Sequence, residues 1–226
     1  MMGDAVRQGE QSRAVCPLGD CQALLGQSEL LGHLFSEHLV ETPTMAANFG
    51  LRMRKVRTGE CTLLLMVHQQ LVAGHDHCLG VLNWTGDGSR NLSPPQLNLP
   101  LCHRSLCTCL PVLVMVCKTT WPGLLLNSEQ FDNDGSSMGY LYVFWLVAPV
   151  TQRPVCATLG FLNRELQCGL RVCRQLRNFA TRMHINQFLL GADRHYLTLS
   201  ESQMDQMCSP NEGGSFLEVV IVDGGY

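Results

Sequence analysis

The sequence predicts a mainly β protein, an antiparallel β-sandwich with one main helix, preceded by a small metal-stabilised module. Short runs rich in Val, Leu, Tyr and Phe recur after residue 61, and clusters of Gly, Asn, Asp and Ser separate them. These runs do not alternate with helical segments, which argues against a parallel α/β sheet. We therefore divide the chain into a flexible N-terminus (1–15), the small module (16–39), a linker (40–60) and the sandwich (61–226).

Composition bounds the class of protein. The chain has 226 residues, of which 46% are hydrophobic and 15% charged, so it can bury a globular core. Its net charge of −3 provides no general attraction to nucleic acid or to an acidic membrane. The first residues are polar and lack the apolar core of a signal peptide. We therefore expect an intracellular protein, cytoplasmic or nuclear, whose cysteines stay reduced.

The module is predicted to be a C2H2-like zinc finger. Cys16, Cys21, His33 and His38 follow the pattern C-x4-C-x11-H-x4-H, and zinc takes four nitrogen and sulfur ligands at tetrahedral corners. The alternative is an ordinary amphipathic helix with surface histidines. The x4 gap places the histidines about 140° apart around an ideal helix, so the end of the helix must deform for both to reach one ion.

The remaining residues of the module suit this outline. Gly19 is expected to turn a hairpin that carries the cysteines, and Ser28 to cap the helix that carries the histidines. Leucines should fill the small core between hairpin and helix, namely Leu30, Leu31 and Leu34. Leu24 or Leu25 is expected in place of the aromatic residue usual in such fingers.

The charge of the finger disfavours a nucleic-acid role. No Lys or Arg lies between Cys16 and His38, and Gln27, Ser28 and Glu29 occupy the start of the helix. Phosphate binding requires cations, so we expect a structural or protein-binding finger. The alternative, a chromatin- or RNA-associated factor, rests on a basic cluster in the predicted linker, formed by Arg52, Arg54, Lys55 and Arg57.

Eight strands are predicted in the sandwich, at 61–67, 79–84, 111–117, 140–148, 155–161, 183–190, 195–200 and 216–222. Two apolar runs, 106–117 and 140–150, are too short to cross a bilayer and are expected as strands buried on both faces. Apolar residues three and four positions apart predict the main helix within 163–182, capped by Asn163; they are Leu166, Leu170, Cys173, Leu176 and Ala180. A shorter helix should begin after Ser200, with Gln203 completing a capping box.

Other cysteines and histidines leave a second metal site open. It would combine Cys102, Cys107 and Cys109 with His75 or His77, if their loops converge. A cysteine hydrolase would draw on the same residues. No nucleophile elbow, phosphate loop or dinucleotide-binding motif is present, so we expect no enzymatic activity.

The later segments resemble a known family. YLYVFWLVAPV, VCATLGFLNRE, RNFATRMHIN, RHYLTLSESQMD and FLEVVIVDGG follow one another as in the substrate-binding domain of the seven-in-absentia ubiquitin ligases. The whole chain is also similar to an insect family that pairs an N-terminal finger with such a sandwich. The resemblance implies a TRAF-like antiparallel sandwich that binds a peptide of a protein partner as an added strand.

The resemblance does not extend to the catalytic part of those ligases. Residues 1–60 contain only two cysteines, too few for a RING domain. We therefore expect a non-enzymatic adaptor near the ubiquitin machinery, with its oligomeric state, homodimer included, left open. Of the 16 basic residues only Lys55 and Lys118 are lysines. Drift in codon usage explains such a bias; the alternative hypothesis is that the shortage makes the chain a poor target for ubiquitin attachment.

Overall fold

The computed structural model describes residues 13–19, 21–38, 53–86, 93–121, 139–163, 165–181, 193–207 and 214–223. The strands in these residues are β1 (Ala14–Val15), β2 (Leu24–Leu25), β3 (Met53–Val56), β4 (Cys61–Met66), β5 (Asp76–Trp84), β6 (Leu110–Thr120), β7 (Tyr140–Ala148), β8 (Val155–Leu162), β9 (Cys168–Gln175), β10 (Arg177–Asn178), β11 (Tyr196–Ser200) and β12 (Ser215–Asp223). The α-helices are α1 (Leu30–His33) and α2 (Glu201–Met207). The protein is therefore mainly β, as the sequence predicts.

Two sheets form the sandwich. The larger sheet has the order β10-β7-β6-β5-β3, with β11 also paired to β7, and the smaller sheet has the order β4-β12-β8-β9. Most neighbours are antiparallel, whereas the short pairs β3–β5 and β10–β7 are parallel. The hairpin β1–β2 stands apart from both sheets in its hydrogen bonding.

The main core lies between the two sheets. Val112, Val114 and Val116 of β6 face Phe161 of β8 and Val219 of β12, and all five are almost completely buried. Phe144 and Phe161 meet edge to face across this core, with ring centroids 4.8 Å apart. Apolar burial of this extent is the dominant favourable term in folding.

A second core covers the opposite face of the larger sheet. The intervening residues of β6 and β7, such as Leu113, Met115, Val143 and Trp145, are buried there against the finger and Phe179. This arrangement confirms the prediction that the two apolar runs are strands buried on both faces. It also explains why their sequences are continuously apolar instead of alternating.

Seven of the eight predicted strands lie within the described parts of the chain, and each is a strand there, namely β4, β5, β6, β7, β8, β11 and β12. The eighth, predicted at 183–190, lies outside the described residues. The predicted linker contains strand β3, which pairs with β5, so the prediction is wrong for residues 53–56. Ala14 and Val15, predicted as part of a flexible N-terminus, form β1.

The predicted main helix is wrong. Residues 168–175 form strand β9, which pairs antiparallel with β8. Asn163 closes the turn of this hairpin instead of capping a helix: its Oδ1 accepts a hydrogen bond of 2.8 Å from the Gln167 N–H. Leu166 occupies that turn with a φ of 59°. Leu170 and Val172 pack against the main core with the two-residue period of a strand.

The predicted short helix is confirmed as α2. Ser200 precedes it, and its N–H donates a hydrogen bond of 2.9 Å to Gln203 Oε1. The Gln203 N–H in turn donates to Ser200 Oγ over 3.3 Å, which completes the capping box. Met204 is fully buried and anchors the helix on the main core.

Candidate metal centre

The hairpin β1–β2 positions the two cysteines. Cys16 directly follows β1, and its N–H donates a hydrogen bond of 2.8 Å to the Ala23 carbonyl. The Cys21 N–H donates to the Leu18 carbonyl over 3.1 Å. Gly19 lies between them with a φ of +46°, which a glycine adopts without strain. The predicted turn at Gly19 is thus confirmed.

A change of helix type positions the two histidines. Helix α1 ends at His33, and residues Leu34–His38 continue as a π-helix. The i→i+5 hydrogen bonding of a π-helix brings residues five apart onto nearly the same side. This is the deformation that the His-x4-His spacing requires.

The finger has the small leucine core that the sequence predicts. Leu30, Leu31 and Leu34 are fully buried. Leu25 is also buried whereas Leu24 is 58% exposed, so Leu25 takes the place of the aromatic residue.

The four candidate ligands converge. Their ligand atoms all lie within 4.8 Å of one another. Cys16 Sγ is 3.5 Å from His38 Nε2, Cys21 Sγ is 3.4 Å from His33 Nε2, and the two Nε2 atoms are 3.1 Å apart. A tetrahedral ion with metal–nitrogen bonds near 2.0 Å and metal–sulfur bonds near 2.3 Å implies about 3.3 Å between nitrogens and about 3.5 Å between nitrogen and sulfur. The cluster can therefore hold one metal ion.

Burial keeps two of the four candidate ligands uncharged. Burial, followed by the neighbouring Cys21, raises the pKa of the Cys16 thiol to about 12, so this thiol stays protonated unless a positive charge replaces its proton. Burial, followed by the nearby His33, lowers the pKa of His38, so its imidazole is neutral and can donate its lone pair. Metal binding would release the thiol protons, as is general for cysteine ligands.

The start of α1 differs from the prediction. Ser28 makes no side-chain cap, and the residue in the cap position is Glu29. The Ser28 carbonyl instead accepts a hydrogen bond of 2.7 Å from the Leu97 N–H, and Glu29 Oε2 accepts one of 2.7 Å from the Gly26 N–H. The N-terminal end of the helix is thus hydrogen-bonded to the chain segment around residue 97.

Gln27 docks the finger on the sandwich. Its side chain is only 5% exposed. Its Oε1 accepts a hydrogen bond of 2.6 Å from the Val150 N–H, and its Nε2 donates one of 3.3 Å to Asn178 Oδ1. A side chain at the helix start is where a DNA-reading finger contacts bases, and here the amide is already used inside the protein.

Gln96 is a second docking residue, and the sequence reasoning missed it. It is 2% exposed; its Oε1 accepts from the Leu31 N–H over 3.0 Å, and its Nε2 donates to the Gln27 carbonyl over 3.0 Å. A glutamine side chain from a distant loop therefore caps the finger helix. A lone Gln within a Pro- and Ser-rich loop carries no pattern that could identify this role.

Gly32 allows the helix and the loop to approach closely. A Cβ at this position would lie 2.5 Å from the Leu97 carbonyl oxygen and 3.1 Å from that of Asn98. Phe35 stacks on His103 one turn later, with ring centroids 4.2 Å apart. The finger is thus an integral layer of the fold and not a separately tethered module.

The structure does not bring the second cysteine and histidine cluster together. In the β5–β6 hairpin Asp76 is opposite Cys117, whereas Trp84 is opposite Leu110. His75 and His77 therefore lie at one end of this strand pair, and Cys107 and Cys109 lie at the other, about 25 Å away at roughly 3.4 Å per residue. Cys102 lies in the short helix Leu101–Leu106 that precedes Cys107. Among the described residues, only the finger cluster groups three or more such ligands within reach of one ion.

The basic cluster is partly neutralised. Arg54 and Lys55 lie on the edge strand β3, and Arg57 follows it, whereas Arg52 lies outside the described residues. The Arg54 guanidinium forms a salt bridge of 3.0 Å with Glu60. The same carboxylate accepts a hydrogen bond of 3.0 Å from the backbone N–H of Arg57. Cations on an edge strand also protect it from pairing with another chain.

Fold and cluster together define a mainly β protein with a Cys2His2 candidate metal site. The chain belongs to the DUF4729 family, a domain of unknown function whose family model matches residues 15–210. That match includes all four candidate ligands of the finger and most of the sandwich. No curated protein and no solved structure matches the chain. Among the described parts of the chain, no helix has the length and hydropathy needed to span a membrane.

Proposed function

We propose that this chain is a non-enzymatic intracellular adaptor whose sandwich binds an extended peptide segment of a protein partner, while a zinc-bound finger braces the sandwich. The observation that carries the proposal is the edge of β4 that no other described strand covers. The TRAF-like resemblance of the later segments supports the same mode of binding, in which a peptide adds to a sheet as a strand.

Strand β4 combines exposed apolar side chains with an edge that is free of pairing within the described part of the chain. Among the described strands only β12 pairs with it. Leu64 and Met66 point into the main core, whereas Leu63 and Leu65 on the other face are each 40% exposed. A free edge offers a row of backbone N–H and C=O groups that another strand can satisfy.

The other edges of the described sheets are less suited to such pairing. Strand β3 presents Arg54 and Lys55, and strand β9 presents Arg171 and Arg174. Charges of this kind discourage the addition of a strand. Strand β11 has no charged residue, but its exposed side chain is the polar Thr198.

The surface beside β4 defines the chemistry of the peptide. Phe216 of β12 is directly opposite Leu65 and is half-buried on the same outer face. A strand added to β4 would place every second side chain on the apolar shoulder that Leu63, Leu65 and Phe216 form. We therefore expect a segment of about six residues, the length of β4, with apolar side chains at alternate positions.

We infer that the ion in the finger is zinc. Two thiolates and two neutral imidazoles are the donor set that structural zinc sites use most. The finger leucines pack on the second face of the larger sheet. Because a finger of this size does not fold without its metal, zinc would hold this covering layer in place.

Selection from a random peptide display library tests the binding mode. The folded, zinc-loaded chain should enrich peptides with alternating apolar residues, and Leu65→Lys should abolish their binding. Leu101→Lys is the matched control, because Leu101 is a 77% exposed leucine far along the chain from β4. Peptides that bind Leu65→Lys and the unaltered protein equally would refute strand addition at β4.

Two further measurements separate the alternatives. Tight binding of duplex DNA or RNA that weakens steeply with salt would favour a chromatin- or RNA-associated factor. A dimer in sedimentation that Leu65→Lys converts to a monomer would mean that β4 pairs with a second copy of this chain.

A further inference from the structure

Two cysteines lie side by side on the solvent-facing side of the smaller sheet. In β8 Val155, Ala157 and Leu159 point into the main core, so Cys156 points outward. In β9 Leu170 and Val172 pack on that core, so Cys173 also points outward. Both carry free thiols; Cys173 is exposed and Cys156 partly exposed.

The register of the hairpin makes these cysteines diagonal neighbours. Cys156 is opposite Gln175, and Cys173 is opposite Thr158. Both side chains lie on the same face, and Cys173 is close enough to contribute to the raised pKa of Cys156. Diagonal neighbours have Cα atoms about 7–8 Å apart, whereas a disulfide usually requires less than about 6.8 Å. An approach of roughly 1 Å would therefore be enough for a bond.

The position of β9 allows that approach. Of the described strands only β8 pairs with β9, so β9 can shift at the sheet edge without breaking a second ladder. Its C-terminal end is held in place by the Gln175 carbonyl, which accepts a hydrogen bond of 3.0 Å from His195 Nδ1. Cys173 is exposed and lies two residues before this anchor, so the movement needed is a small local shift of one exposed residue.

We propose that Cys156 and Cys173 form a dithiol modification site that a peroxide converts into a disulfide linking β8 to β9. This proposal is independent of the peptide-binding function, because it rests on different residues and a different edge.

The reaction balances in two steps. The Cys173 thiolate attacks a peroxide oxygen; the O–O bond breaks, the other oxygen leaves as an alcohol or water, and Cys173 becomes a sulfenic acid. The Cys156 sulfur then attacks the Cys173 sulfur, the S–S bond forms, and the sulfenic oxygen leaves as water with the thiol proton. The peroxide is the two-electron oxidant, and the two thiols are oxidised.

The surroundings assign the order of these steps. Cys173 is exposed, so a peroxide can reach it. Burial, followed by the neighbouring Cys173, raises the pKa of Cys156, which makes Cys156 the poorer first nucleophile. Cys156 therefore acts as the resolving thiol, which needs only to be adjacent. Other exposed thiols differ: Cys61, for example, donates its S–H to Glu218 Oε1 over 3.3 Å.

Peptide mapping of the zinc-loaded protein after brief exposure to dilute hydrogen peroxide tests the proposal. Trypsin separates the two cysteines because it cleaves after Arg164 and Arg171, so a disulfide appears as one linked pair of peptides without reductant. We expect the Cys156–Cys173 pair as the first cross-link. Either Cys156→Ser or Cys173→Ser should abolish it, whereas Cys168→Ser should leave it intact.

A second measurement keeps the test decisive if a variant folds poorly. Phenylarsine oxide bridges two adjacent thiols, so it should protect Cys156 and Cys173 together from alkylation in the unaltered protein. Failure to protect them together, or oxidation of Cys156 and Cys173 separately without a cross-link between them, would overturn the proposal.

Discussion

Gln96→Ala should destabilise the finger and the sandwich together. The substitution removes the acceptor of the Leu31 N–H and the donor to the Gln27 carbonyl, both at the buried interface. A buried polar group left without its partner costs about 1–3 kcal/mol, so two such groups imply a loss of roughly 2–4 kcal/mol after partial relaxation. With a urea m-value of about 2 kcal/mol/M, the unfolding midpoint should fall by about 1–2 M.

Equilibrium urea unfolding with zinc present measures this loss, with two signals recorded. Tryptophan fluorescence reports on the sandwich, because Trp84 and Trp145 are buried in its two cores, and release of metal to a chromogenic chelator reports on the finger. Both signals should shift together in Gln96→Ala. Gln69→Ala is the matched control, because Gln69 is exposed. A loss below about 0.5 kcal/mol, or a shift in the metal signal alone, would refute the docking role of Gln96.

The remaining predictions concern the close approach, the metal and the lysines. Gly32→Ala should destabilise the protein by about 1–3 kcal/mol, because its Cβ would meet the Leu97 carbonyl oxygen at 2.5 Å. Gly169→Ala is the control in the same urea titration. Its Cβ would meet only the flexible Met207 side chain, at 3.2 Å, so its loss of stability should be far smaller. His38→Ala should eliminate stoichiometric zinc in elemental analysis, whereas loss of the non-ligand His103 should not; retained zinc in His38→Ala would exclude the assigned ligand set. A limiting amount of an amine-acylating reagent should modify Lys55 before Lys118. Lys55 is exposed, whereas Lys118 Nζ lies 4.1 Å from the Tyr140 ring centroid. Peptide mapping measures the order, and modification of Lys118 first would contradict the prediction.

Strands were predictable where the chain is apolar over a long run. In β6 and β7 both faces are buried, so every position from Val112 to Val116 and from Leu141 to Ala148 is apolar or aromatic. Turn residues bound these runs on the sequence. The metal ligands were equally visible, because their chemistry restricts both residue type and spacing.

The error at β9 has a specific cause. Leu166, Leu170, Cys173 and Leu176 fit a helical period, but Leu170 and Val172 also fit the two-residue period of a strand. Gly, Val and Cys are weak helix formers, and pairing with β8 decides between the two. A short segment that fits both periods cannot be assigned to a helix or a strand until the strand that pairs with it is known.

The docking of the finger was beyond sequence reasoning for another reason. Gln27 and Gln96 are 69 residues apart, and Gln27 and Val150 are 123 apart. Contacts of this kind depend on the complete fold, and a buried glutamine has the same one-letter pattern as an exposed one. The close approach at Gly32 is similarly invisible, because Leu97 and Asn98, which it meets, lie far from it along the chain.

The finger, with its metal bound, should stabilise the larger sheet on which it packs. Hydrogen exchange measured by mass spectrometry, before and after removal of the metal by a chelator, tests this role. We predict that protection falls in the finger and also in β6 and β7, whose outer faces the finger covers. An increase in exchange confined to residues 13–38, with β6 and β7 unchanged, would contradict this account.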